Sequence, residues 1–242
     1  MSYRYWKDYF TANQTHFDQL DWNVADELSA EEKKCIYNSL QQFQKGENSE
    51  GKHLYSFAKT FPDPEYFESI KLFIKEEQKH AQVLAKFMEL HSIPKIKSHW
   101  IDSVFRGLRK FFGLENTIIV LVTAEIIAKV YYRALFQASS STLLKKICNQ
   151  ILQDEDQHLA FQATTLNHFY HSSPRWKQII TRSWHRILMT GTIFVVWLWH
   201  KKVLKSGGSF FSKFFMETML VYFDVERNIK LSGQLTSQSV KA

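Results

Sequence analysis

The chain has 242 residues, enough for one large domain or a helical core with an appendage. Its 45% apolar content supports a sizeable core, and only 8 glycines and 4 prolines argue against a strand-rich fold with many turns. The formal net charge of +7 is uneven: from Ser172 onward there are 11 Lys+Arg against 3 Asp+Glu, which leaves 20 and 21 of the totals of 31 and 24 to the first 171 residues. The plain reading of that excess is a solvated basic face. Sharper readings are a phospholipid surface, an acidic carrier protein or a phosphate-bearing substrate, with nucleic acid less favoured.

Aromatic residues reach 15%, which asks for either a bulky core or an apolar channel. Cys35 and Cys148 form no Cys-x-x-Cys pair, and the first residues, MSYRYWKDYF, lack a secretory pattern; together they read as reduced thiols in a cytoplasmic protein. The longest apolar stretch, residues 187–199, is 13 residues long, short of the roughly 20 that a simple spanning helix needs.

In chain order, residues 1–28 are aromatic and polar without long periodicity and suggest a short helix at most. A first long helix starts at the capping box Ser29-Ala30-Glu31-Glu32 and keeps an apolar stripe through Ile36, Leu40, Phe43, Leu54 and Phe57 to about Thr60, with Gly46 and Gly51 inside it. Asp63-Pro64 is a cap followed by a proline suited to the first helical position, and a second helix runs from there to about His91. Residues 92–115 form a long connection with a short amphipathic helix near 101–112. A third helix covers about 114–137, and the Ser139–Thr142 cluster caps a fourth that reaches about Tyr170. Beyond Ser172-Ser173-Pro174, two more helices are expected at about 175–205 and 209–231, split by Ser206-Gly207-Gly208. The expected organisation is all-α: an N-terminal segment (1–28), four helices joined short, long, short (29–171), and a basic, aromatic helical extension packed on them (172–242).

The chemistry lies in two copies of Glu-x-x-His. The second helix carries Glu77 and His80, and the fourth carries Glu155 and His158. Residues three apart lie one turn apart on nearly the same helix face, so a carboxylate and an imidazole converge. One copy is a common accident in charged helices; two on separate long helices are specific. Glu77 and Glu155 are 78 residues apart, and stepping back 30 from each reaches Glu47 and Glu125, also 78 apart, the mark of a duplicated helix pair. Glu125 lies in the intensely apolar run IIVLVTAEIIAKVYY, where a lone carboxylate is costly unless paired, protonated or metal-bound. Four carboxylates and two neutral imidazoles balance two divalent cations, and mixed oxygen and nitrogen donors suit iron or manganese. Glu50, three residues from Glu47, stays open as an alternative or additional ligand. Asp154 and Glu76, each just before a ligand Glu, read either as solvated acids or as acceptors for the second ring nitrogen of a metal-bound imidazole; resemblance to two-metal helical bundles implies that the imidazole is that of the opposite motif, Asp154 near His80 and Glu76 near His158. Tyr132, seven after Glu125 on the same face, reads as a donor to a ligand carboxylate, as an electron relay, or equally as a plain core tyrosine.

With this motif set, residues 29–171 resemble the ferritin-like di-iron carboxylate superfamily. The resemblance implies a four-helix bundle with a long crossover between its second and third helices. It makes Glu47, Glu77, His80, Glu125, Glu155 and His158 ligands of two irons (Mn/Fe or di-Mn as variants), with Glu77 and Glu155 as bridging candidates. It also implies O2 chemistry driven by a ferredoxin or reductase. The missing Cys-x-x-Cys pair speaks against a full rubrerythrin, and the long tail separates the chain from storage ferritins. The leading expectation is an O2-dependent oxidoreductase, an oxidase or oxygenase, acting on a small or lipophilic organic substrate, with no catalytic residue singled out outside the metal centre. Two alternatives are ferroxidase, iron storage or peroxide detoxification, and a membrane- or carrier-associated di-metal protein. A homodimer and a peripheral position at a membrane are further expectations.

Overall fold

A computed structural model of the protein describes residues 2–23, 28–48, 51–97, 107 and 113–239, with side chains to residue 230. Among these residues there are helices and no strands, so the protein is all-α. The elements are α1 (Tyr3–Ala12), a 3-10 turn (Asn13–Gln19), α2 (Ala30–Glu47), α3 (Gly51–Ala58), α4 (Pro64–Leu90), α5 (Gly113–Ala138), α6 (Thr142–His171), α7 (Arg175–Ser206) and α8 (Phe211–Ser239). The amphipathic helix expected near 101–112 lies outside the described residues, apart from Gly107.

Local signals account for most boundaries. Ser29 and Glu32 form the reciprocal capping box, each side chain bonding the other's backbone N–H. Glu32 also accepts from the backbone N–H and the hydroxyl of Ser140, which ties the start of α2 to the link between α5 and α6. The Ser140 backbone N–H, followed by the two serine hydroxyls, holds the Glu32 carboxyl down at about 2. Asp63 caps α4 through the N–H groups of Glu65 and Tyr66. Ser141 caps α6 through Leu144, after a link short enough to fold α6 back against α5. The first long helix differs from its expectation. It is two helices, α2 closing at Asn48 and α3 opening at Gly51. Gly51 permits a close approach to α4, since a Cβ there would come within 3.2 Å of Ile74 Cγ2.

α2 and α4 pack as one pair and α5 and α6 as another, with the pairs facing each other through α4–α6 and α2–α5 contacts. α1 lies on α4. The tail helices cover the second pair, α7 on α5 and α2, and α8 on α6 and α5. Two apolar clusters fill the interior. One holds Ile70, Phe73 and Ile74 of α4 with Leu159, Phe161 and Leu166 of α6. The other holds Val83, Leu84 and Phe87 of α4 with Ile147, Cys148 and Ile151 of α6. Both helices therefore switch from one cluster to the other across a short polar interval, Glu76–His80 on α4 and Asp154–His158 on α6. Cys35 and Cys148 are free thiols, and Cys148 is core, with burial pushing its thiol well up.

Candidate metal centre

The polar interval between the two clusters is buried. Glu47, Glu76, Glu77, His80, Glu125, Asp154, Glu155 and His158 are all less than one-tenth exposed, and His80, Asp154 and His158 are at 0%. Burying this many ionisable groups is costly unless each finds a partner or a cation. α2 delivers Glu47 from its last turn, while α4 and α6 deliver their motifs mid-helix, where neighbouring turns hold the backbone rigidly.

Glu47, Glu77, His80 and Glu155 each present a ligand atom within 4.8 Å of the others. His80 Nδ1 is 3.7 Å from Glu77 Oε1 and 4.0 Å from Glu47 Oε2. His158 joins the group through Nδ1, 2.9 Å from Glu77 Oε1 and 3.7 Å from Glu155 Oε2. Glu125 is buried on α5 but is not one of the four atoms' owners in the tight group. Glu50 lies outside the described residues.

The far side of each imidazole is held by an acid from the opposite helix. His80 Nε2 is 3.0 Å from Asp154 Oδ2, and His158 Nε2 is 2.9 Å from Glu76 Oε1. Each acid thus fixes one ring nitrogen and turns the other, Nδ1, toward the carboxylates. Tyr132 donates to Glu47 Oε1 at 2.5 Å. Edge-on aromatic rings close the sides: Phe73 stands 4.7 Å from the His158 ring and Phe17 5.7 Å from the His80 ring.

The electrostatics are those of a crowded, buried group of acids and imidazoles. Burial raises the Glu47 carboxyl well above its usual range, and the charges of Glu77 and Glu155 push it further. Burial also acts to raise Glu77, but the nearby His158 and His80 outweigh it and hold that carboxyl low. Both imidazoles are raised: burial opposes their protonation, yet Asp154 and Glu77 win at His80, and Glu155, Glu76 and Glu77 win at His158.

Several buried atoms still lack a hydrogen bond, among them Nδ1 of His80, Nδ1 of His158 and Oε2 of Glu155; the 2.9 Å approach of His158 to Glu77 is not aligned as one. All three face the group. Buried polar atoms are rarely left this way, and a cation is what such a donor set suits. Glu47, Glu77, His80, Glu155 and His158 are the residues placed to hold it.

Some participants carried no sequence signal. Asn13, in the 3-10 turn, donates from Nδ2 to Glu76 Oε2 at 2.8 Å and to Asp154 Oδ1 at 2.9 Å. One amide thereby clamps the two acids that orient the two imidazoles. Gln150 donates to Asp154 Oδ1 at 2.9 Å; its spacing of four before Asp154 on one helix is the signal that was available. A second buried network joins α2, α5 and α7, where Ser39 Oγ bonds Tyr131 Oη at 3.0 Å and His200 Nδ1 at 2.7 Å, with Phe43 stacked on Tyr131.

Comparison of the sequence with protein-family models returns no match, and comparison with curated proteins returns none either.

Proposed function

We propose that this chain is a di-metal carboxylate protein, with iron the leading metal and Mn/Fe or di-Mn as variants. Its helical core would be a ferritin-like bundle, and its activity that of an O2-dependent oxidase or oxygenase on a small or lipophilic organic substrate. One observation carries the reading: two buried imidazoles, each with Nε2 on an acid and Nδ1 turned into a shared group of three glutamates. Mixed oxygen and nitrogen donors without a thiolate favour iron or manganese over a zinc–cysteine site. Glu125, buried on α5, is the sixth ligand of the proposed set.

When bound, the metal pair supplies O2 reduction and the oxidising power. The protein's own residues do the rest. Asp154 and Glu76 each accept the Nε2–H of one imidazole, which fixes its tautomer and presents the Nδ1 lone pair. Asn13 and Gln150 hold those acids in place. Tyr132 donates its Oη–H to Glu47 Oε1 across 2.5 Å between the oxygens and limits how far that carboxylate can swing. Phe10, Phe17 and Phe73 exclude water from the imidazole edges, which strengthens every charge interaction inside.

The test is O2 uptake by the ferrous-loaded protein with a chemical or enzymatic reductant and a panel of small and lipophilic substrates. Sustained uptake beyond the metal stoichiometry, together with an oxidised organic product, is expected, and Glu155→Gln should abolish both. Uptake that stops at the metal stoichiometry across the panel contradicts the oxygenase reading, and sustained ferrous oxidation without any organic product moves the protein to iron handling.

A further inference from the structure

The tail helices use one face each to cover the core. α7 turns His185, Met189, Val196, His200 and Val203 inward, and α8 turns Phe214, Thr218, Tyr222 and Val225 inward. A tail that served only as a cover would be polar on its outer side. Here the outer side carries apolar stripes among a few polar residues such as Ser183 and Arg186. Trp176, Ile180, Ile187, Phe194 and Leu198 recur at steps of four, seven, seven and four residues, one stripe of α7, and are 65%, 60%, 66%, 49% and 64% exposed. At 1.5 Å per residue the stripe is about 33 Å long. Met216, Leu220 and Phe223, at steps of four and three, repeat the pattern on the outer side of α8. α7 and α8 are neighbours, joined through Phe194–Phe211 and Trp197–Phe214 ring contacts.

The charges sit at the ends of these stripes. The α7 stripe continues past Leu198 into Lys201 and Lys205, and the α8 stripe past Phe223 into Arg227 and Lys230. The three acids of the segment are already engaged: Glu217 with Lys213, Asp224 with Arg227, and Glu226 with Arg182. Lys201, Lys202 and Lys205 are exposed and form no ion pair among the described residues. An apolar, aromatic-bearing face with clustered cations at its edge is complementary to a surface that is greasy inside and anionic outside.

We propose that the α7–α8 hairpin is a docking face for an anionic lipid bilayer, lying in the membrane plane with its outer apolar stripes in the acyl boundary and the lysine cluster against headgroup phosphates. α7 is 32 residues long, so length, judged too short from the 13-residue apolar stretch, does not by itself exclude a span. The in-plane orientation follows from packing: 39% of its most apolar stretch is buried against the core, and crossing a bilayer would strip α7 from α5 and expose His185 and His200. This inference does not depend on the chemistry at the metal centre.

The experiment is vesicle flotation of the full-length protein with neutral phosphatidylcholine and with vesicles containing phosphatidylserine or phosphatidylglycerol, at low and high salt. Binding to the anionic vesicles that weakens with salt is expected. Lys201→Glu with Lys205→Glu should cut the partition coefficient about tenfold or more. Ile187→Asn with Leu198→Asn should lower it comparably at every salt concentration, with helical circular dichroism unchanged because these side chains are 66% and 64% exposed. No flotation, or equal binding to neutral and anionic vesicles, overturns the proposal. So does a stable dimer in sedimentation that Leu198→Asn dissociates, since the face would then be an interface between copies.

Discussion

Asn13 offers the sharpest perturbation, because one side-chain nitrogen holds both orienting acids. Replacing it with leucine, which has the same branching, removes the bonds to Glu76 Oε2 and Asp154 Oδ1. The two losses differ in weight. Asp154 Oδ1 keeps the donor of Gln150, so the cost falls mainly on the buried Glu76 carboxylate. A hydrogen bond to a charged group contributes about 1.5–3 kcal/mol, so the metal-free protein should lose about 2–3 kcal/mol in urea unfolding with an unchanged slope. Loosening the acid that orients a ligating imidazole should weaken Mn²⁺ or Co²⁺ binding by about 10–100-fold in a direct titration. Asn13→Asp places a third carboxylate between the two and should be worse on both counts. Wild-type stability and metal affinity in Asn13→Leu would refute the clamp.

Three further outcomes are expected. Glu47, His80 and His158 are all shifted upward, so each binds a proton more tightly than the free group and a cation competes with it; metal binding should release protons into a weakly buffered dye solution and apparent affinity should rise with pH, while affinity flat with pH and no proton release would contradict this. Tyr132→Phe leaves Glu47 Oε1 without its donor and should cost about 1–3 kcal/mol by urea unfolding, together with weaker metal binding. At Gly207 a Cβ would meet the carbonyl oxygen of Ala134 at 2.3 Å, so Gly207→Ala should lower the melting temperature by several degrees. Gly191→Ala, with nothing within 4 Å inside α7, should leave it unchanged or raise it slightly.

The helices were the most legible part of the sequence. Asp63-Pro64 and Ser141 state where α4 and α6 begin, because caps and prolines act through local backbone groups. The two Glu-x-x-His motifs were legible for the same reason: helical periodicity decides which residues share a face. Pairing across helices was readable through the 78-residue repeat, which picked out Glu47, within the tight group, and Glu125, buried but outside it, and through the acids expected at the opposite imidazoles, where Asp154 stands on His80 and Glu76 on His158. What depended on tertiary approach was not legible. Asn13 sits in a 3-10 turn with no periodicity, 63 residues from Glu76 and 141 from Asp154, and nothing local distinguishes it from any other asparagine. Ser39 and His200, 161 residues apart, are the same case. The close of α2 at Asn48 was hidden because the apolar stripe runs on into Leu54 and Phe57, and periodicity does not register a break between two helices in phase.

The central claim is that the buried histidine–carboxylate layer holds two metal ions. Anomalous diffraction from crystals of the metal-loaded protein, measured on both sides of the iron and manganese edges, tests it most directly. Two peaks are predicted inside the group formed by Glu47, Glu77 and Glu155, one against Nδ1 of His80 and the other against Nδ1 of His158. A layer without an anomalous peak, or with its imidazoles turned so that Nδ1 faces Asp154 and Glu76, would contradict it.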